Sequence, residues 1–128
     1  MAETKGRVQV IEYTFSTTEV QSTRPVLRKL NTRFDPRMVK CRAICQPSTS
    51  SHQAVVKSDM TLDENLCVFS YTEPVNGTGS FREMNRNRGQ TIGFTFYEKL
   101  PTTGTEQAGL SEFAGTTEIL TISLTFID

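Results

Sequence analysis

The stretch from Arg86 to Lys99, RNRGQTIGFTFYEK, decides how the rest of this chain is interpreted. Between positions 91 and 97 an apolar set alternates with a set that carries polar groups, namely Ile92, Phe94 and Phe96 against Thr91, Thr95 and Tyr97. Alternation with a period of two, in aromatic and β-branched residues, predicts a strand with one buried face. Arg86 and Arg88 precede this alternation and give the polar face of the predicted strand a basic end.

Two elements are predicted after this strand. Pro101 and Gly104 interrupt the pattern, and Thr105 is a candidate N-cap for a helix that runs from Thr105 to about Ala114. The last segment, ILTISLTFID (119–128), alternates again and predicts an extra C-terminal strand.

The segments upstream also have the character of strands. VQVIEYTF (8–15) predicts the first strand, a polar turn is expected over 16–25, and residues 26–34 fit either a strand or a helical turn. Residues 38–46 and 53–62 flank the turn-forming sequence PSTSS, which predicts an N-terminal hairpin. Residues 66–71 predict another strand, and residues 72–85, with Pro74 and two glycines, predict a loop. The predicted fold class is therefore α+β, mainly antiparallel β-sheet, with one C-terminal helix.

Length and charge limit the functional classes. A chain of 128 residues suits one domain, here residues 1–128. Lys and Arg together equal Asp and Glu at 14 each, so nucleic-acid binding would need a local basic patch. No apolar run is long enough for a membrane span, and the first residues have no signal-peptide pattern. Three cysteines cannot all pair within one chain, so we expect them to be reduced and synthesis to be cytoplasmic.

Catalytic and metal chemistry find no support in the sequence. The single histidine, His52, follows a serine-rich turn, and no spacing places it in a nucleophile–base arrangement. Cys41, Cys45 and His52 match no usual zinc spacing. We therefore expect a protein that is not an enzyme and has no cofactor or metal, with an exposed turn histidine.

The polar faces of the predicted strands are the main candidate site. The predicted hairpin brings cations and hydrogen-bonding groups onto one surface, the residues being Lys40, Arg42, Gln53, Lys57, Arg86, Arg88, Thr91 and Thr95. Cations neutralise phosphates, and Thr or Gln side chains can bind unstacked bases on a sheet. The alternative is an ordinary solvated face.

The order of these features resembles the coat proteins of single-stranded RNA bacteriophages. Three pieces carry the resemblance: ICQPSTSSHQAVVK (44–57), EPVNGTGSFREMNRNRGQTIGFTFYEK (73–99) and TTGTEQAGLSEF (102–113), where that family begins its helix. The resemblance implies a homodimer with one continuous antiparallel sheet and interlocked helices. It further implies that dimers build an icosahedral shell and that the inner sheet face binds a genomic RNA hairpin, which in that family also represses replicase translation.

Two hypotheses of different class follow. The first is a viral coat protein located in the virion, made in the host cytoplasm, whose partners are itself and single-stranded RNA, with no membrane. The second is a monomeric β-sandwich module for adhesion or carbohydrate binding, with no nucleic acid. A large particle that contains host RNA would favour the first hypothesis, and a small monomer the second.

Overall fold

The structure, a computed structural model, describes residues 6–44, 52–70, 75–112 and 120–128, and of residues 75–78 it describes the backbone only. The described part contains ten strands and one short helix. In chain order these are β1 (Val8–Phe15), α1 (Thr17–Gln21), β2 (Val26–Lys29), β3 (Met38–Ile44), β4 (Gln53–Ser58), β5 (Asn65–Ser70), β6 (Val75–Thr78), β7 (Arg82–Glu83), β8 (Thr91–Lys99), β9 (Glu106–Ala108) and β10 (Leu120–Ile127).

The strands form two five-stranded antiparallel sheets. Sheet A has the order β1-β10-β3-β6, and β7 also pairs with β3. Sheet B has the order β2-β8-β4-β5, and β9 also pairs with β8. Most connections cross from one sheet to the other, as β1 to β2, β2 to β3 and β3 to β4 do. This strand order is that of the double Greek-key jelly roll.

The core lies between the two sheets and is built from the alternate residues of each strand. Aromatic rings join the sheets at its centre. Phe94 of β8 packs against Tyr13 and Phe15 of β1, with ring centres 5.6 Å and 5.1 Å apart. Phe96 also lies 5.1 Å from Phe15. Because burial of apolar surface is the main favourable term in folding, this cluster holds sheet A on sheet B.

Helix α1 connects the two sheets in the segment where the sequence predicted only a polar turn. Ser16 caps it, because its side chain accepts a hydrogen bond from the Glu19 backbone N–H while the Glu19 carboxylate accepts one from the Ser16 N–H. This is a capping box. Val20, the buried residue of the helix, holds it against the core.

The predicted C-terminal helix is not formed in the described residues. Glu106–Ala108 is strand β9, paired with the end of β8, and residues 113–114 of the predicted helix lie outside the described residues. Gly109 has a φ of +89°, which a right-handed helix does not contain. Its backbone also lies so close to Gln21 that a Cβ would be 2.5 Å from that carbonyl oxygen. The fold is therefore two β-sheets with very little helix, and the α+β prediction holds only in its antiparallel-sheet part.

The predicted N-terminal hairpin is also wrong in its pairing. Strand β3 belongs to sheet A, whereas β4 belongs to sheet B and pairs with β5 and β8. The connection between them therefore crosses between the sheets. The expectation of a single continuous sheet, taken from the phage-coat resemblance, likewise differs from this two-sheet sandwich.

The long strands agree with the sequence, whereas several short ones were not predicted. The predicted strands at 8–15 and 91–97 correspond to β1 and β8, and the extra C-terminal strand is β10. Residues 26–29 are a strand rather than a helical turn. The segment predicted as a loop over 72–85 contains β6 and β7.

Candidate functional site: the outer face and free edge of sheet A

The outer face of sheet A carries a row of small hydroxyl side chains. Thr121, Ser123 and Thr125 of β10 point outward, since the residues between them are buried in the core. The register places Lys40 of β3 beside Thr125 and Arg42 beside Ser123. On the face of a sheet, cations contact phosphates, and hydroxyl side chains can form hydrogen bonds to phosphates and bases.

The two cations of this face carry charge that the described residues do not neutralise. The Lys40 ammonium lies 5.4 Å from the centre of the Phe81 ring, and Arg42 is exposed. Among the ion pairs of the described ranges, none involves either residue. Glu12 and Arg42 both pair with Ser123 of β10, one from each side, so the width of β10 separates them by about 10 Å. Within the described residues, both cations therefore remain available to an external anion.

Strand β1 is an edge strand of sheet A. Among the described residues it pairs with β10 on one side, and no strand pairs with it on the other side. The Asp128 N–H donates to the Arg7 carbonyl oxygen on the β10 side. In an antiparallel ladder alternate residues bond to the same neighbour. The backbone groups of Val8, Val10 and Glu12 therefore face away from β10, toward the open edge.

The open edge is apolar at one end and covered at the other. Val8 and Val10 are 56% and 57% exposed. At the far end the Arg28 guanidinium donates to the Thr14 carbonyl oxygen over 3.2 Å. A long exposed apolar edge strand is a template for pairing with another chain. The segment Val8–Glu12, which we term the free edge, is therefore a candidate association site.

An apolar corner continues from the free edge across sheet A. The register sets Val8 beside Ile127 of β10 and Ile127 beside Met38 of β3. A groove of about 370 Å³ follows, lined by Pro36, Arg37, Met38, Glu83, Met84 and Asp128. The free edge and this corner form one continuous surface that a partner can cover.

The eight residues of the predicted RNA-binding surface do not lie together. Lys40 and Arg42 lie together on the outward face of their strand, as the alternation predicted, and that strand belongs to sheet A. Four others point outward from sheet B, and these are Gln53, Lys57, Thr91 and Thr95. The last two, Arg86 and Arg88, lie in the connection before β8. Because the two sheets pack through their inner faces, their outer faces are on opposite sides of the molecule. The prediction of a single RNA-binding surface is therefore wrong, because its residues lie on two opposite faces and in a connection between strands.

The three predicted cations outside sheet A already have partners within the protein. Lys57 forms an ion pair with Glu106 at 3.0 Å and lies 4.4 Å from the centre of the Tyr97 ring. Arg86 pairs with Asp59 at 3.2 Å. These internal anions lower the attraction of both cations for phosphate. Arg88 instead donates to the carbonyl oxygen of Arg33 at 3.0 Å, which fixes its side chain on the neighbouring loop.

A small cleft lies on the outer face of sheet B. Its volume is about 200 Å³, and its lining consists of Pro25, Lys57, Ser58, Asp59, Glu64, Gly93, Thr95 and Tyr97. The Asp59 carboxylate accepts a hydrogen bond from the Gly93 N–H at 2.8 Å in addition to its pair with Arg86. The cleft combines an aromatic ring with polar groups, although its main charges are bound within the protein.

A buried carboxylate, Glu98, forms a second polar cluster. It accepts hydrogen bonds from the Ser111 hydroxyl and the Glu112 N–H, each at 2.8 Å, and the His52 Nδ1 lies 3.4 Å from it. His52 is thus a half-buried residue beside an acid, not the exposed turn histidine expected. The sequence contained the signal, because Glu98 continues the buried series of Ile92, Phe94 and Phe96.

Among the described residues, no group of three or more His, Cys, Asp or Glu side chains is arranged to hold a metal ion. In the same part of the chain no helix has the length and apolar character needed to cross a membrane.

Comparison with known proteins does not assign this chain to a family. A scan against protein-family models gives no match. A search of the curated proteins also finds no significant similarity.

Proposed function

We propose that this chain is a viral coat subunit that pairs with a second copy through the free edge of β1 and assembles into a closed shell around RNA. The observation that carries the proposal is the jelly-roll strand order of sheets A and B. That architecture recurs in viral capsid subunits, although it also occurs in lectins and cupins. The step from fold to function is therefore an analogy, supported by the surfaces described above.

The free edge supplies a self-complementary contact. A two-fold axis that sets Val10 against Val10 of a second copy places Val8 of each copy opposite Glu12 of the other. Both strands then meet through backbone groups that face away from β10. Such an isologous contact closes as a dimer and joins two copies of sheet A into one continuous sheet. The homodimer becomes the building unit of the shell.

A charge placed on the free edge tests this contact. We expect Val10→Lys to give folded monomers that form neither dimers nor particles, because charged edge positions oppose strand pairing. Val68→Lys is the matched control, since Val68 is 46% exposed on β5 of sheet B. Native mass spectrometry at micromolar concentration and electron microscopy are the measurements. Dimers and regular particles from Val10→Lys would contradict the contact.

RNA binding is assigned to the two cations of sheet A. The Lys40→Ala/Arg42→Ala double variant is expected to lower the salt dependence of RNA binding by about 1.4 units of slope, since each phosphate contact on a single strand contributes about 0.7. Lys57→Ala is the control, because Glu106 already neutralises Lys57. A double variant whose slope matches that of the wild-type protein would show that this face is only solvated.

The alternative function is a monomeric β-sandwich module that binds a small polar ligand. The sheet B cleft favours it, because Tyr97 offers an aromatic platform beside Thr95 and Asp59. Size-exclusion chromatography separates the two functions. Particles of megadalton size that contain RNA support the coat subunit, and a monomer of 14.4 kDa supports the module.

A further inference from the structure

Two thiols from different sheets meet inside the core. Cys41 of β3 in sheet A and Cys67 of β5 in sheet B have their sulfur atoms 3.3 Å apart. Both side chains are buried. A disulfide bond is about 2.05 Å long, so forming it requires the two sulfurs to approach by little more than 1 Å.

The backbone around the pair holds it in place. Gly79 donates its N–H to the Cys41 carbonyl oxygen at 2.9 Å. Its Cα lies against β5, because a Cβ built there would be 1.9 Å from the Leu66 carbonyl oxygen and 3.5 Å from the Cys67 Cβ. A residue without a side chain therefore lets β5 come close to β3. The meeting of the two thiols therefore rests on the close approach of β3 and β5 at Gly79.

We propose that Cys41 and Cys67 form an oxidation site that reacts with a small disulfide, such as oxidised glutathione, to give a covalent link between the two sheets. The first thiolate attacks the glutathione disulfide, forms a mixed disulfide and releases one glutathione thiolate. The second thiolate then attacks the protein sulfur and releases the other. Two protein thiols lose two electrons and two protons, and one glutathione disulfide becomes two glutathione thiols. The inference is independent of the proposed coat function.

Burial controls when this reaction occurs. The neighbouring Cys67 thiol and desolvation raise the pKa of Cys41 well above its ordinary value. Because the thiolate is the reactive form, the closed core protects the pair. Strand β5 pairs only with β4 among the described strands, so opening of this edge exposes Cys67 first. The pair therefore stays reduced in a reducing compartment and becomes linked on prolonged contact with an oxidant.

Competition among the three cysteines tests the proposal. The folded wild-type protein is incubated with oxidised glutathione, its remaining thiols are alkylated, and its peptides are mapped without reduction. We expect a Cys41–Cys67 link and an alkylated Cys45, and formation of the link alone, measured before alkylation, lowers the protein mass by about 2 Da. The link joins residues 26 apart in the sequence, so Tm should rise by about 10 °C and fall again on reduction.

The same reaction in strong denaturant gives the contrasting pattern. In an unfolded chain the short Cys41–Cys45 loop closes more readily than the longer one, so a native Cys41–Cys67 link reports the folded geometry. Cys45→Ser should retain the link and the rise in Tm, and Cys67→Ala should lose both. If the Cys45→Ser protein keeps two free thiols after prolonged incubation with oxidised glutathione in the absence of urea, the proposal is overturned. A Cys41–Cys45 link in the folded wild-type protein would overturn it as well.

Discussion

The Gly79→Ala variant is expected to lose at least about 3 kcal/mol of unfolding free energy, the upper part of the range for overpacked sites. The new Cβ would lie 1.9 Å from the Leu66 carbonyl oxygen, which is backbone and cannot rotate away. Either β5 moves outward or the hydrogen bond from Gly79 to Cys41 is lost. Urea denaturation followed by circular dichroism measures the loss.

Gly104→Ala separates this steric cost from the conformational cost of replacing glycine. Gly104 has a φ of +71° and open space where a Cβ would lie, so alanine there meets backbone strain alone. That strain costs about 1 kcal/mol. Equal losses in the two variants would mean that β5 does not pack against Gly79 as described.

Phe94→Ala is expected to cost about 3–5 kcal/mol, a large part of the stability of a domain of this size. Phe94 is fully buried, and its ring contacts Tyr13 and Phe15 across the interface between the sheets. Truncation removes these contacts and leaves a cavity where the sheets meet. Urea and thermal unfolding measure the loss. A variant that is partly unfolded at 37 °C would also agree with this prediction.

Phe81→Ala is the matched control, because it removes the same side chain from a position that is 39% exposed. Its expected loss is below about 1 kcal/mol, since little apolar surface is returned to water. Similar losses in the two phenylalanine variants would contradict the assignment of the core centre to Phe94.

The sequence predicted strands where a strict alternation lasted for about eight residues. Strands β1, β8 and β10 have this pattern, and their inward residues form the core. The predicted helix near Thr105 failed because capping signals are local and weak. The pairing of β9 with β8 and the positive φ of Gly109 outweighed them.

The candidate site was predicted only in part. Alternation along β3 correctly placed Lys40 and Arg42 on one outer face. It carried no information on which strand lies beside β3, and a short polar connection was compatible with either a hairpin or a crossing to the other sheet. The remaining predicted cations consequently belong to other surfaces, and the acidic partners of Lys57 and Arg86 were not visible in the sequence.

By itself the sequence determined the long strands β1, β8 and β10 and which side of each is buried, because side-chain alternation is written in neighbouring residues. Only the tertiary structure decided that β3 and β4 belong to different sheets, that Cys41 meets Cys67 and that the free edge of β1 is open. Those relations join residues distant in the chain. They depend on how two twisted sheets bury their apolar faces together, a choice that no local pattern records.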